Sequence, residues 1–368
     1  MSLLESLRAH VFRWPVETPV QTSFGVMHDR PMVLIEARDR DGATGWGEAW
    51  CNFPAVGAEH RARLVESIFA PMLEGGEVGE PAGIFTSLEQ RTAVLAIQSG
   101  EPGPIAQCIA GIDIALWDLK ARRANEPLWR LLGGSEPGIA VYASGLNPQS
   151  PEKLALRRRE EGFTAFKLKV GFGEQRDLDN LAAMRSAVGA GAALMVDANQ
   201  AWDPAAARAM AGRMERFELR WLEEPVRADT PLEDWKALRA ASRIPLAAGE
   251  NMAGTESFTR AIASGAFDVM QPDMAKWGGF SGCLPVARAI RAAGLRYCPH
   301  YLGGGIGLLA SAHLLAAVGG DGMLEIDANP NPLRTETCGP LTDIREGRAR
   351  LTEASGLGFE PDLARLRR

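Results

Sequence analysis

The sequence predicts a parallel α/β barrel that follows a smaller α+β unit, and three observations indicate this fold class. Short apolar runs alternate with helical segments beyond residue 138. There are eight such runs, and most of them end in an ionisable residue. They recur about every 25 residues, which is close to the length of one βα unit. Eight such units form a (β/α)8-type barrel, with a modified last unit as a variant.

The N-terminal 130 residues have a different pattern. Val33–Arg38 predicts a strand, and Asp41–Gly47 predicts a turn built on glycines. Gln107–Arg123 predicts a helix, because its apolar residues recur every three or four positions. Strands followed by helices are typical of an α+β unit. Leu132–Gly138 is the predicted linker to the barrel.

The predicted barrel strands are residues 139–145, 165–171, 193–200, 219–225, 244–250, 267–273, 295–300 and 322–330. From Lys169 to Glu325 the polar residues at the strand ends lie 28, 26, 27, 23, 27 and 25 residues apart. A doubly wound sheet is the competing layout, but it needs a GxGxxG fingerprint after its first strand. The segment GLNPQS at 145–150 does not provide one, so the spacing favours the barrel.

Composition excludes several classes of function. The chain has 368 residues, of which 46% are hydrophobic and 23% charged, as in ordinary globular enzymes. A net charge of −6 gives no basic surface for nucleic acid. The N-terminus lacks an apolar signal core, and the longest apolar stretch, 306–318, is too short to cross a membrane. Five cysteines without a CxxC pair indicate neither disulfides nor zinc, so a cytoplasmic location is expected.

Three carboxylates predict a metal site. Asp197, Glu223 and Glu250 end strands three, four and five, so they meet at the edge where barrel active sites lie. Like charges this close need a cation, and oxygen ligands suit Mg²⁺. Side chains alternate along a strand, so only one of Glu223 and Glu224 should point inward. We choose Glu223 because Glu224 adjoins Pro225. The alternative, helix capping, suits Asp but not Glu.

Strand two carries Lys167 and Lys169, which lie two residues apart and therefore on one face. The chain has only six lysines among its 40 basic residues, so two in one apolar strand are informative. Lysine can lose its proton, and a neighbouring cation or metal lowers its pKa. Lys169 is therefore a candidate base. The alternative is that both lysines only neutralise buried carboxylates.

Strands six and seven end in Asp273 and His300, whose contact would fix the histidine tautomer. Glu325 closes the ring from strand eight, and Asp327 is expected to be structural. A carboxylate substrate held between the metal and Glu325 would expose its α-proton to Lys169 on one face and His300 on the other. The metal and a hydrogen-bond donor from Glu325 would stabilise the resulting enediolate.

The barrel resembles the enolase superfamily and, within it, the mandelate racemase subgroup. The resemblance rests on the residues above together with KLK at 167–169, WGG at 277–279 and EIDANPNP at 325–332. It implies an N-terminal capping domain (1–131), a (β/α)7β barrel (138–332) and a C-terminal tail (333–368) that packs on the cap. It also implies Mg²⁺ as cofactor and a homo-oligomer.

The resemblance also implies a role for each site residue. Lys169 and His300 act as acid or base on opposite faces of the substrate, and Lys167 contacts the substrate carboxylate beside Glu325. Asn199, close after the first metal ligand, is a further expected substrate contact.

Most members of the subgroup are acid-sugar dehydratases, and a minority are racemases or epimerases. We therefore expect dehydration of a sugar acid to a 2-keto-3-deoxy acid, with racemisation or epimerisation of a 2-hydroxy acid as the alternative. Muconate-lactonizing enzymes and dipeptide epimerases carry lysine where this chain has Asp273, so those activities are disfavoured. Lys276, three residues further on, is treated as non-catalytic.

Substrate choice is expected to lie in the cap. Thr18–Arg30 and Trp50–His60 are predicted to be mobile loops over the barrel rim. The candidate substrate contacts in them are His28, Arg30, Trp50 and Phe53. Arg30 would suit a distal carboxylate, which would indicate a diacid.

Three other interpretations remain open. A Schiff-base lyase would use Lys169 as a nucleophile, and a sugar-acid-binding barrel without catalysis would need none of the polar ring. GGGIG at 303–307 is an alternative phosphate cradle, since loops after strands seven and eight often bind phosphate in barrels.

Overall fold

The structure is a computed structural model that describes residues 2–367. Its first three strands form an antiparallel sheet: β1 (Leu4–Gln21), β2 (Val26–Asp39) and β3 (Thr44–Ala49). The predicted strand Val33–Arg38 lies inside β2. β1 and β2 form a long hairpin that ends in the turn at residues 22–25.

Five α-helices cover this sheet and lead to the barrel. They are α1 (Gly57–Leu64), α2 (Ala70–Leu73), α3 (Pro81–Ser99), α4 (Pro102–Arg123) and α5 (Leu128–Leu131), with a π-helical turn (Val65–Phe69) between the first two. The predicted helix 107–123 lies inside α4. The middle of α4 is buried on nearly every side, because it lies between the small sheet and the barrel.

Two glycines of the predicted turn belong to a strand instead. Residues 44–47 form most of β3, so the turn prediction is wrong beyond residue 43. A Cβ atom at Gly45 would lie 2.1 Å from the carbonyl oxygen of Ala115, and one at Gly47 would lie 2.0 Å from that of Gly111. These glycines therefore serve the close approach of α4 to β3.

The barrel alternates strands and helices. Its elements are β4 (Gly138–Leu146), α6 (Pro151–Glu160), β5 (Ala165–Lys169), α7 (Glu174–Val188), β6 (Ala193–Asp197), α8 (Pro204–Met214), β7 (Leu222–Glu223), α9 (Leu232–Ala241), β8 (Leu246–Ala248), α10 (Thr255–Ser264), β9 (Val269–Met270), α11 (Gly279–Ala292), β10 (Arg296–Tyr297), α12 (Gly305–Val318) and β11 (Met323–Asp327). Neighbouring strands are parallel and in chain order, and β11 pairs with β4. This pairing confirms the barrel and excludes the doubly wound sheet. The helix that directly follows β11 is only the four-residue α13 (Pro332–Thr335), so the eighth strand lacks a full-length helix, as in a (β/α)7β barrel.

The barrel interior is apolar at its base and polar at its mouth. Eight buried side chains, one from each strand or its immediate continuation, pack together at the base: Tyr142, Ala165, Met195, Trp221, Ala247, Val269, Cys298 and Met323. Because side chains alternate along a strand, residues two positions further on face the same interior nearer the mouth. Those positions include Lys167, Asp197, Glu223, His300 and Glu325.

The C-terminal segment contacts both parts of the molecule. β12 (Arg348–Arg350) pairs antiparallel with β4 at the barrel base. Further on, the backbone N–H of Leu357 donates to Asp118 on α4 at 2.6 Å, and Glu360 accepts from the indole of Trp46 at 2.9 Å. α14 (Leu363–Leu366) follows. Across residues 2–367, no helix is both long enough and apolar enough to span a membrane.

Candidate active site

Lys167, on β5, contacts carboxylates from three other strands at the barrel mouth. Its Nζ donates to Oε1 of Glu223 at 2.6 Å, and it lies 2.8 Å from Oε1 of Glu325 and 3.9 Å from Oδ2 of Asp197. The side chain is fully buried. Burial lowers its pKa, but the carboxylates of Glu223 and Glu325 outweigh this effect and raise the pKa well above the usual value. Lys167 is therefore a fixed positive charge.

Lys169 lies nearer the mouth and contacts the first proposed metal ligand. Its Nζ donates to Oδ2 of Asp197 at 2.6 Å and to Oδ1 of Asn199 at 2.8 Å. Burial lowers the pKa of Lys169, but the carboxylate of Asp197 more than compensates, so the pKa is raised. In this arrangement the carboxylates outweigh the Lys167 cation, and a pKa of Lys169 lowered beside a metal stays a prediction.

His300 lies between two carboxylates, and its predicted contact with Asp273 is present. Nδ1 of the ring lies 2.7 Å from Oδ2 of Asp273, and Nε2 makes a short contact with Oε2 of Glu250. Nε2 is also 3.7 Å from Oε2 of Glu325. Burial lowers the pKa of His300, but Glu250 and Glu325 overcome it and raise the pKa well above the usual value. The ring is thus a proton donor in this arrangement.

Glu325 is held as an ionised acceptor. It accepts hydrogen bonds from Oγ of Ser144 and, at 3.1 Å, from the backbone N–H of Tyr301. Burial raises its pKa, but Lys167 and His300 outweigh burial and hold the pKa at about 2. In this arrangement Glu325 is an acceptor, and its expected role as a hydrogen-bond donor to a substrate stays a prediction. The ammonium of Lys167 is the donor at that place.

Glu223, at the end of β7, and the following Glu224 have partners that the sequence did not single out. Gln271 Nε2 donates to Oε2 of Glu223 at 2.6 Å. Burial raises the pKa of Glu223 to about 7, although Lys167 acts in the opposite direction. The period-two spacing of Gln271 before Asp273 is a sequence signal that could have revealed its place in the interior.

Glu224 also belongs to the cluster, contrary to the expectation that it points away. It is buried, and its backbone φ of +38° breaks the strand alternation that the sequence argument assumed. Nδ2 of Asn251 donates to both Glu224 and Glu250 at 2.9 Å, which joins the two carboxylates. Burial, followed by repulsion from Glu250, raises the pKa of Glu224 well above the usual value.

The donor set fits a divalent cation by charge and chemistry. Six carboxylates, when ionised, face four cations: Asp197, Glu223, Glu224, Glu250, Asp273 and Glu325 against Lys167, Lys169, Lys276 and protonated His300. Two negative charges are left over, and burial makes them costly, so they are removed either by protons, as the raised pKa values of Glu223 and Glu224 indicate, or by a bound cation. Among residues 2–367, no three acidic, His or Cys side chains already converge at metal-binding distance.

The first predicted cap loop is mostly regular structure, whereas residues 50–56 of the second are irregular as expected. In Thr18–Arg30, Val20 pairs with Met27 across the hairpin, so only the turn at residues 22–25 is a loop and the loop prediction is wrong for the rest. Oγ of Ser23 donates to the backbone carbonyl of Asn199 at 2.6 Å. This bond connects the hairpin turn to the barrel mouth. In Trp50–His60, α1 begins at Gly57.

The four candidate cap contacts lie in different environments. The rings of Trp50 and Phe53 are 6.4 Å apart, and Lys276 Nζ lies 4.8 Å from the ring centroid of Trp50. His28 is exposed on β2. Arg30 is buried and forms a short ion pair with Asp327, so its charge is compensated within the protein. This explains the structural role expected for Asp327 and removes the argument from Arg30 to a diacid.

The glycine-rich segment 303–307 is not a free phosphate cradle. Glu48 on β3 is buried and accepts from the backbone N–H of Gly304 at 2.5 Å and of Gly307 at 2.9 Å. These donors belong to the first turn of α12, where a helix favours an anion. A protein carboxylate already fills this place, so the phosphate interpretation is wrong.

Comparison with known proteins identifies the family. Residues 6–133 match the mandelate racemase/muconate lactonizing enzyme N-terminal domain, and residues 151–365 match the enolase C-terminal domain-like model. The chain belongs to the mandelate racemase/muconate lactonizing enzyme family. Within the enolase superfamily it falls in the mandelate racemase subgroup, as its motifs predicted.

Similar proteins are enzymes that differ in their reactions. A mandelate racemase/muconate lactonizing enzyme structure from Bordetella bronchiseptica RB50 is 58% identical, with a TM-score of 0.94 over 100% of this chain and 99% of that one. D-galactarolactone cycloisomerase from Agrobacterium fabrum is 30% identical over 97% of this chain and 96% of its own. L-talarate/galactarate dehydratase from Salmonella typhimurium LT2, liganded with Mg and L-lyxarohydroxamate, is 29% identical, with a TM-score of 0.86 over 99% and 92%. This family member is therefore an enzyme, and its relatives span lyases and isomerases.

Proposed function

We propose that the enzyme removes the proton α to a carboxylate with the help of Mg²⁺, and that the overall reaction is dehydration of a sugar acid to a 2-keto-3-deoxy acid. The proposal rests on one observation: two groups that can transfer protons lie on either side of the carboxylate cluster. Lys169, at the end of β5, contacts Asp197, and His300, just after β10, contacts Glu250. A substrate carboxylate at this cluster therefore meets one group on each face.

We propose Asp197, Glu223 and Glu250 as the residues that hold Mg²⁺. The excess of buried negative charge supports this assignment, as does the dehydratase relative liganded with Mg. When bound, Mg²⁺ neutralises the substrate carboxylate and stabilises the charge that develops on its oxygens. Lys167 supplies a second positive charge at the same carboxylate, because Glu223 and Glu325 hold its ammonium between them.

The proton steps fall to the two flanking residues. Lys169 removes the α-proton on one face as the neutral amine, which requires that a cation at Asp197 offset the carboxylate that otherwise raises its pKa. Asn199 orients its Nζ through the 2.8 Å hydrogen bond. His300 acts on the opposite face through Nε2, because Asp273 occupies Nδ1. In dehydration, His300 gives its proton to the departing β-hydroxyl. The enol that remains becomes the 2-keto acid.

Two other outcomes start from the same first step. If the proton returns from the opposite face, the reaction is a racemisation or epimerisation of a 2-hydroxy acid. If the leaving oxygen belongs to a ring, the reaction is a cycloisomerisation, which the similarity to D-galactarolactone cycloisomerase favours as a second candidate. The substrate in each case is a small carboxylate.

The test incubates the enzyme and Mg²⁺ with a panel of aldonic acids, aldaric acids and their lactones. Formation of a 2-keto acid from an open-chain acid supports dehydration, and its formation only from a lactone supports cycloisomerisation. Exchange of the α-proton with solvent D₂O without any 2-keto product would favour racemisation. An inactive panel with neither product nor exchange would support a sugar-acid-binding barrel.

The Schiff-base alternative makes the opposite prediction about metal and trapping. A lyase that uses Lys169 as a nucleophile keeps its activity in EDTA and is trapped by borohydride with substrate. Our proposal requires loss of activity in EDTA, recovery with Mg²⁺ and no trapped adduct. The expected homo-oligomer is a separate prediction that light scattering would measure.

A further inference from the structure

Lys276 lies in the turn that follows β9, and Asp273 fixes the backbone of that turn. Oδ1 of Asp273 accepts from the backbone N–H groups of Ala275 at 2.9 Å and of Lys276 at 3.1 Å. Oδ2 of the same carboxylate contacts Nδ1 of His300 at 2.7 Å. One buried carboxylate thus positions both the imidazole and the segment that carries Lys276.

The ammonium of Lys276 lies between the carboxylate cluster and the cap. Its Nζ is 3.8 Å from Oε2 of Glu250 and donates to Oδ1 of Asn251 at 3.2 Å. On its other side it lies 4.8 Å from the ring centroid of Trp50, within the range at which an aromatic face attracts a cation. The side chain is only 14% exposed.

The backbone supports this link between barrel and cap. The N–H of Trp50 donates to the carbonyl of Ala275 at 3.2 Å, so the residue after β3 is tied to the residue before Lys276. Nδ2 of Asn251 donates to Glu250 at 2.9 Å, so Lys276 also reaches the carboxylate through an amide. Lys276 therefore interacts with Glu250 both directly and through the amide of Asn251, and it contacts the cap through the ring of Trp50.

We propose that Lys276 is a positioning residue that couples Trp50 of the cap to the charge of Glu250. This inference rests on the proposed function in one respect, the assignment of Glu250 as a metal ligand. A fixed ammonium beside Glu250 repels a divalent ion that binds there. The same ammonium holds the Trp50 ring over the barrel mouth. Lys276 thus lowers the affinity for the divalent ion and keeps the cap residue in place.

The sign of the metal effect distinguishes this role from a merely structural one. Loss of a packing residue disorders the ligands and weakens metal binding. Loss of a repelling positive charge leaves the carboxylate cluster more negative and strengthens metal binding, because Coulomb interactions over a few ångströms are large in a buried site. The two explanations therefore predict opposite changes in the dissociation constant.

The first experiment titrates Mn²⁺ alone into the intact enzyme by isothermal titration calorimetry. Lys276→Met is expected to bind Mn²⁺ on the order of tenfold more tightly than the wild type. Lys276→Arg, which keeps the charge, and Lys236→Met, on the exposed face of α9, are the matched controls and should bind as the wild type does. Unchanged or weaker binding by a folded Lys276→Met variant would overturn the proposal.

The second experiment measures acrylamide quenching of tryptophan fluorescence, with Trp50→Phe variants used to isolate the signal of Trp50. Quenching of Trp50 should rise about twofold in Lys276→Met and return to the wild-type value in Lys276→Arg, since arginine also binds aromatic faces. Equal quenching in Lys276→Met and wild type would refute the link to the cap. Neither readout requires turnover, so an inactive substrate panel would contradict the proposed function and leave both tests valid.

Discussion

Nδ1 of His300 lies 2.7 Å from Oδ2 of Asp273, so the opposite ring nitrogen, Nε2, is directed at Glu250 and Glu325. A buried carboxylate behind a histidine fixes its tautomer and stabilises its protonated form. The geometry therefore decides which nitrogen can serve the substrate. It also explains why the sequence places an acid and a histidine on adjacent strand ends.

Replacement of Asp273 by Asn should remove this control. The amide oxygen can still accept from the backbone of residues 275 and 276, but the amide nitrogen would face Nδ1 and favour the wrong tautomer. We expect kcat to fall by about 10²–10⁴-fold, as for other histidines that lose an orienting carboxylate. Steady-state kinetics measures the loss. Asp343→Asn, an exposed acid paired with Arg345, is the control and should stay fully active.

The two flanking residues should act on opposite faces. Lys169→Met and His300→Asn are each expected to lower kcat by about 10²–10⁴-fold, because each loses one general acid or base. Exchange of the α-proton in D₂O, followed by NMR, should disappear in only one of the two variants for a given substrate stereoisomer. Loss of exchange in both variants for the same stereoisomer would contradict the assignment of one group to each face.

Glu48 should contribute to the stability of the cap–barrel interface. Glu48→Ala leaves the N–H groups of Gly304 and Gly307 buried and unpaired, which should cost about 2–4 kcal/mol of unfolding free energy. Urea denaturation measures this loss. Glu233→Ala, in the exposed first turn of α9, should change the unfolding free energy by less than about 1 kcal/mol. An equal effect of the two variants would refute the role of Glu48.

The barrel and most of its polar mouth could be predicted because their signals are local and repeated. Each buried strand is a short apolar run, and the polar residue at its end appears at nearly the same interval along the chain. Lys169, Asp197 and His300 were found in this way, and the structure brings all three to the carboxylate cluster.

Features that depend on distant partners could not be predicted. β1 mixes exposed and buried residues without clean alternation, because bulges interrupt its pairing. Glu48 appears as a lone acid in a short strand, and its partners on α12 lie more than 250 residues away. The inward position of Glu224 depends on a positive φ, which the residue types around it do not predict. Lys276 was treated as non-catalytic because it lies three residues beyond Asp273, and its neighbours Glu250 and Trp50 come from separate parts of the chain.

His313 should make the fold sensitive to acid. Nδ1 of this buried ring accepts from the backbone N–H of Trp129 at 2.9 Å, and burial lowers its pKa from 6.5 to about 4. The neutral form is favoured in the native state, so its contribution is complete above pH 6.5 and is lost as the pH falls from 6.5 towards 4. The loss should amount to about 3 kcal/mol.

Urea denaturation at pH 7.5 and pH 5 tests this prediction. His313→Asn keeps an acceptor for Trp129 but has no titrating ring, so its unfolding free energy should fall less over this interval than that of the wild type. His28→Asn, on the exposed face of β2, should fall as much as the wild type. A wild-type pH dependence in His313→Asn would contradict the prediction.

Glu223 and Glu224 are both buried next to the cluster, and their different partners predict different contributions to metal binding. Glu223 lies at the same strand level as Asp197, and Lys167 links the two carboxylates, whereas Glu224 is held by Asn251. We expect Glu223→Gln to weaken Mg²⁺ binding by at least 100-fold, since it removes a proposed ligand. Glu224→Gln should weaken it by less than tenfold, since it removes a nearby negative charge only. Isothermal titration calorimetry with Mg²⁺ measures the dissociation constant of each variant. A larger loss of affinity in Glu224→Gln than in Glu223→Gln would mean that Glu224, and not Glu223, is the metal ligand.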